Sequence, residues 1–128
     1  MAEMTIKKRP KNLDLTTIRL PLPGKVSILH RVSGAGLFLL LPVLLCFFGD
    51  SLASPEAYAA LKATFASLPV KVILAGLIWA FIHHFCAGIR FLLLDLHVGI
   101  EKEAARQSAV VVFAVSVPLT LVAWGILL

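Results

Sequence analysis

The run FIHHFCAGIRFLLLD, residues 81–95, is apolar yet carries His83, His84, Arg90 and Asp95. Ionisable side chains at bilayer depth are costly and usually mark a site. On a helix, His84, Gly88, Phe91 and Asp95 fall on one face, while His83 points about 100° away from His84. The two imidazoles therefore do not easily grip one metal together. Neutral imidazole is a good haem-iron ligand, and Gly88, one turn on, leaves room for a flat macrocycle. The plainer alternatives are a helix–helix hydrogen bond for His84 and close helix packing at Gly88. A haem held by two imidazoles needs one on each side of the iron. This chain offers one well-placed candidate, since His30 and His97 lie near span ends. The pattern points to a site completed by another chain. Arg90 fits interfacial snorkelling. Asp95 is too short to snorkel far and is expected to meet a cation or a helix N-terminus.

A second cluster, SILHRVSG, occupies residues 27–34. Ser27 and Arg31 are four apart and share a helix face. A hydroxyl and a guanidinium at a helix mouth can hydrogen-bond a carbonyl oxygen while apolar walls hold a hydrophobic ring. Arg31 can also bind a carboxylate bidentately, a haem propionate included. In the bland reading Ser27 caps the helix and Arg31 anchors it at the interface. The two readings stand level on physics alone.

These residues need membrane helices to position them. The chain has 128 residues, 59% apolar and 15% charged, against roughly 25% charged in an average soluble domain. A soluble protein this small could not bury so much apolar surface. Three spans emerge, at about 28–48, 68–96 and 109–128, each near the roughly 20 residues that cross about 30 Å of hydrocarbon. The expected fold is all-α, one membrane-anchor domain over residues 1–128. The connector at 49–67 has turn signals at Gly49-Asp50 and Ser54-Pro55, and Ser54 is placed to cap a short helix starting at Pro55. The second connector is 97–108. Pro42 and Pro118 lie inside spans and read as kinks.

The net charge is +5, but seven of the twelve basic residues fall within the first 31 positions. A basic flank beside apolar spans is the positive-inside pattern and argues against nucleic acid as partner. It places the N-terminal segment 1–26 and the second connector in the cytoplasm (or matrix), and the first connector and C-terminus outside. On that topology His84 lies roughly 24 Å along the second span, in the same half of the membrane as Arg31 and His30, so a haem on His84 could extend its propionates toward them. Cys46 and Cys86 both fall within spans and read as apolar fillers. The N-terminus does not fit a signal peptide.

The segment RPKNLDLTTIRLPLPGKVSILHRVSG, followed by HHFCAGIRFLLLD, resembles the cytochrome b membrane-anchor subunit of succinate dehydrogenase, respiratory complex II. The matching signatures are Arg9-Pro10, Ser27 to Gly34, and His84 to Asp95, and the likeness covers nearly the whole chain. The resemblance implies a three-helix anchor that bundles with a second small anchor subunit, and together they hold a flavoprotein and an iron–sulphur protein on the bacterial inner membrane. It implies a haem b between the anchors, with His84 as this chain's axial ligand. It also implies ubiquinone as substrate near Ser27 and Arg31, propionates near His30 and Arg31, and haem packing at Gly88. One departure is Phe91, where many relatives carry a histidine. Succinate oxidation itself belongs to other subunits, because the chain has no dinucleotide-binding glycine motif and no cysteine cluster for iron–sulphur. The alternatives are an anchor of a quinol:fumarate reductase, or a haem-free scaffold in which His84 and Asp95 relay protons.

Overall fold

The computed structural model describes residues 17–127, so Arg9-Pro10 lies outside the described residues. Four helices follow one another among the described residues: α1 (Leu22–Ala53), α2 (Pro55–Ala66), α3 (Leu68–Asp95) and α4 (Lys102–Leu127). No strand occurs among the described residues. Helices α1, α3 and α4 are long and apolar enough to cross a membrane. The shortest of them has 26 residues, about 39 Å at the α-helical rise.

Helix boundaries follow proline and capping chemistry more than hydropathy. α1 begins at Leu22 rather than 28, with Pro23 in its first turn, where a fixed φ suits a helix start. Ser27 therefore lies inside α1 and does not cap it, which overturns the capping half of the bland reading. α1 also runs through Gly49-Asp50, and the Ser51 hydroxyl donates to the Phe48 carbonyl. The break comes at Ser54, which is extended (φ −162°, ψ 161°) because Pro55 disfavours helical geometry in the residue before it. Ser54 then caps α2 as expected, its Oγ accepting from the Ala57 N–H at 3.1 Å.

α3 ends in a two-bond cap. The Val98 N–H donates to the Leu93 carbonyl and the His97 N–H to the Leu94 carbonyl, both at 2.9 Å, and His97 takes the left-handed conformation (φ 61°) that this cap requires. α4 starts at Lys102, not 109, because the stretch KEAARQ is rich in strong helix formers. The second connector is correspondingly shorter than 97–108. Pro42 and Pro118 sit within α1 and α4 without ending them, and each leaves one carbonyl, of Phe38 and Ala114, without its helical donor.

The buried core is small: Val26 of α1, Ala87 of α3, and Ala109 and Val112 of α4. Most large apolar side chains, such as Phe38, Phe81 and Ile126, are exposed, as expected of helices whose outer faces meet lipid. Arg90 does not snorkel. It is 6% exposed, donating from Nε to Ser108 Oγ at 2.9 Å and from Nη2 to the Ala105 carbonyl at 3.1 Å, which binds α3 to the first turns of α4. Asp95 is exposed at the end of α3, and no cation or helix N-terminus among the described residues meets it.

Candidate functional site: the histidine seam between α1 and α3

His84 of α3 lies against α1. Its Nδ1 is 3.0 Å from the His30 backbone carbonyl and 3.3 Å from Ser33 Oγ. A carbonyl only accepts, so in the neutral imidazole Nδ1 carries the proton and Nε2 the lone pair. The Ser33 hydroxyl donates to the same carbonyl at 3.0 Å. The His30 and His84 rings stack, with centroids 4.2 Å apart and planes 5° from parallel.

Two glycines make this seam possible. A Cβ on Gly34 would stand 2.6 Å from His84 Cε1, closer than side-chain carbons approach. A Cβ on Gly88 would meet His30 Nε2 at 3.6 Å, ordinary contact. Gly34 is thus the residue that clears space for His84, while Gly88 faces His30. Phe91 packs on the His30 ring at 5.0 Å and lies under the Arg90 guanidinium at 5.3 Å, a cation–π distance.

His83 takes the opposite path. It is 0% exposed, between the Trp79 ring at 5.1 Å and the Phe113 ring at 5.3 Å. Neither of its nitrogens has a hydrogen-bond partner; the Val26 carbonyl approaches it, short of hydrogen-bond geometry. Nothing from outside this chain can reach that ring without parting α3 from α4. His84 is only partly buried, and its Nε2 is not among the buried polar atoms lacking a partner.

Ser27 and Arg31, on α1 before and just after His30, pair with each other, Arg31 Nη2 donating to Ser27 Oγ at 2.9 Å. Arg31 is exposed and Ser27 partly so, and no hydrogen bond joins the pair to His30 or His84 among the described residues. The structure therefore groups His30, His84, Gly88 and Phe91, keeps Ser27–Arg31 as a neighbouring surface pair, and leaves His97 in the turn after α3. Ser33 and Gly34, which touch His84, had no role assigned from sequence. The signal was present, since both lie one turn after His30 and so share its face.

No three His, Cys, Asp or Glu side chains converge to hold an ion among the described residues. A single imidazole with its Nδ1 bonded to a carbonyl is the kind of group that could ligate a macrocycle's iron. The family profile described as "Succinate dehydrogenase/Fumarate reductase transmembrane subunit" matches residues 5–123. The chain belongs to this family. Among its relatives, the succinate dehydrogenase cytochrome b556 subunit of Paracoccus denitrificans is 33% identical over 119 residues, covering 93% of this chain and 92% of the relative. The protein of the same name from Coxiella burnetii is 36% identical over 110 residues, covering 85% and 88%. That from Rickettsia felis is 30% identical over 118 residues, covering 91% of each.

Proposed function

We propose that this chain is the cytochrome b membrane anchor of a succinate:quinone oxidoreductase. It forms one membrane-anchor domain that pairs with a second small anchor subunit, and the pair tethers the flavoprotein and iron–sulphur subunits to a bacterial inner membrane. The N-terminus faces the cytoplasm and the C-terminus the outside, as the basic flank suggests. The family description covers succinate dehydrogenase and fumarate reductase alike; the names of the relatives favour succinate oxidation.

The observation that carries the reading is the contact between His84 Nδ1 and the His30 carbonyl, which sets the tautomer of the neutral ring. Its Nδ1–H is committed to the His30 carbonyl at 3.0 Å, so Nε2 is the atom left to ligate iron, the arrangement common to metal-bound histidines. A residue of the second anchor would complete the iron's protein ligands. A bound haem b would supply a one-electron carrier between the two anchors. His30 and Arg31 are the groups positioned to meet its propionates, and Gly88 keeps the seam beside His30 thin.

Ser27 and Arg31 supply the polar end of a ubiquinone pocket. The Arg31 guanidinium and Ser27 hydroxyl, now paired with each other, can both donate to a quinone carbonyl oxygen. That oxygen becomes more basic as the ring takes up two electrons from the iron–sulphur partner and two protons from water on that side. Fixed donors at such an oxygen stabilise the developing negative charge. This chain's part in the reaction is thus to hold and orient the quinone head and to help hold the haem, without touching succinate.

Assembled complexes carrying Ser27→Ala or Arg31→Gln should lose roughly 10²–10³-fold in succinate:ubiquinone activity, the usual effect of removing one such donor. Reduction of an artificial acceptor that takes electrons from the soluble subunits should stay unchanged. Equal loss in both assays would mean that the pair serves assembly and not quinone binding.

A further inference from the structure

The seam between α3 and α4 holds a charge that the proposed site does not use. Arg90 is 6% exposed, and burying a guanidinium without a counter-charge is costly. Its two acceptors, Ser108 Oγ and the Ala105 carbonyl, are neutral. Of its five N–H donors, three have no acceptor among the described residues, and no carboxylate there pairs with it. Beside it lies a cavity of about 390 Å³ between the two helices, within the range of roughly 300–1,000 Å³ usual for ligand pockets. Ile89 and Leu93 of α3 and Val111 and Val115 of α4 form walls that are almost wholly apolar, and Arg90 and Ser108 contribute a small polar part. All four apolar walls are exposed, so the groove opens sideways off the bundle.

The face it occupies decides what can fill it. Cys86, Ile89 and Leu93, all lining the groove, lie about 140–180° around α3 from His84. A partner that meets His84 does not cover the groove by the same contact. Arg90 also sits about 8 Å along the axis from the end of α3, near the depth where headgroups give way to acyl chains. We propose that the groove binds an anionic phospholipid. The phosphodiester oxygens accept from the free Arg90 N–H donors, for which the planar guanidinium is well matched. One acyl chain lies along Ile89, Val111 and Val115, deeper in the membrane than Arg90. A zwitterionic lipid would bring its own cation back toward Arg90, so the net negative charge is the feature selected. The bound lipid supplies the counter-charge that the protein lacks and fills the opening between α3 and α4. This assignment rests on the membrane-spanning fold and not on the haem or quinone reading.

The test is native mass spectrometry of the intact complex that purifies with this chain, stripped of lipid and titrated with dioleoylphosphatidylglycerol or dioleoylphosphatidylcholine. The wild type should retain one phosphatidylglycerol with a preference of about tenfold, the scale of one charge-assisted hydrogen bond. Arg90→Gln should abolish the preference. Val111→Phe, which fills the groove and leaves the Arg90–Ser108–Ala105 contacts in place, should abolish retention. The same spectra report whether each variant assembles, and if Arg90→Gln does not, Val111→Phe decides. A preference that survives in Val111→Phe, or a wild type that takes both lipids equally, overturns the assignment. So does a wild type that retains neither, as when another polypeptide covers the groove.

Discussion

Against α1, helix α3 presents an imidazole; against α4, it presents alanine and a guanidinium. The first seam is held by polar contacts that leave an atom over: His84 is bonded at Nδ1 and free at Nε2, on a backbone kept close by Gly34. The second is packed shut at its centre, around Ala87 and Ala109, and opens only on the outer side beside Arg90. Ala87 and Ala109 are both fully buried, which lets the helices approach as small residues do in membranes, and the Arg90 bonds fasten α3 to α4. The neighbours His83 and His84 make the contrast in one step of about 100°. One ring is sealed into packing between Trp79 and Phe113. The other is bonded at one edge and available at its opposite edge. Residue type does not separate the two; the company that each helix face keeps does.

That contrast can be broken most severely at Gly34. In Gly34→Ala the new methyl would stand 2.6 Å from His84 Cε1, and the imidazole tip must swing away from the His30 carbonyl. The helices should still assemble, while haem per complex falls by at least about tenfold, the lower end for disturbing the support of a metal ligand. Haem content determined on complexes of unchanged subunit composition checks this. Normal haem content would mean that His84 is not held by α1.

Ser108→Ala addresses the other seam. It removes the hydroxyl that accepts from Arg90 Nε at 2.9 Å and should cost about 1–3 kcal/mol, read as a lower melting temperature with haem content unchanged. If haem is lost in step with stability, the two seams are not separate in function.

The smallest effect is expected in α2, which belongs to neither seam. Glu56, fully exposed in the first turn, has its carboxyl held below the usual carboxylate range, first by a backbone N–H and then by the Ser54 hydroxyl. A depressed folded value means that the contribution is present above the unfolded value and is lost as pH falls through the folded one. Protection factors of α2 amides, the exchange rates referred to the intrinsic rate at each pH, should therefore fall slightly on acidification through the carboxylate range. Glu56→Gln should flatten that response. An identical response in the variant would remove Glu56 as its source.

The helices and their order were legible because apolar runs of this length leave few alternatives, and Ser54-Pro55 announced α2 through its cap. The ends were less so. Residues 102–108 are polar but helix-forming, and hydropathy reads only the polarity. Ser27 resembles a cap by type, yet Pro23 starts the helix earlier. The choice between His83 and His84 was half visible, since the face pattern separated them but could not show that α4 closes over one. Arg90 was misread because its acceptors, Ser108 and the Ala105 carbonyl, depend on how α4 is placed against α3. The role of Gly34 depends on a contact across 50 residues of chain, which no local pattern carries.

The central claim is that His84, and not its neighbour, holds the iron. Dithionite-reduced minus oxidised visible spectra of the assembled complex, taken for the wild type, His84→Ala and His83→Ala, test it most directly. The account predicts a sharp b-type band in the wild type, lost or shifted in His84→Ala and kept in position in whatever His83→Ala complex assembles. A band unchanged in His84→Ala, or no band in well-assembled wild type, would contradict it.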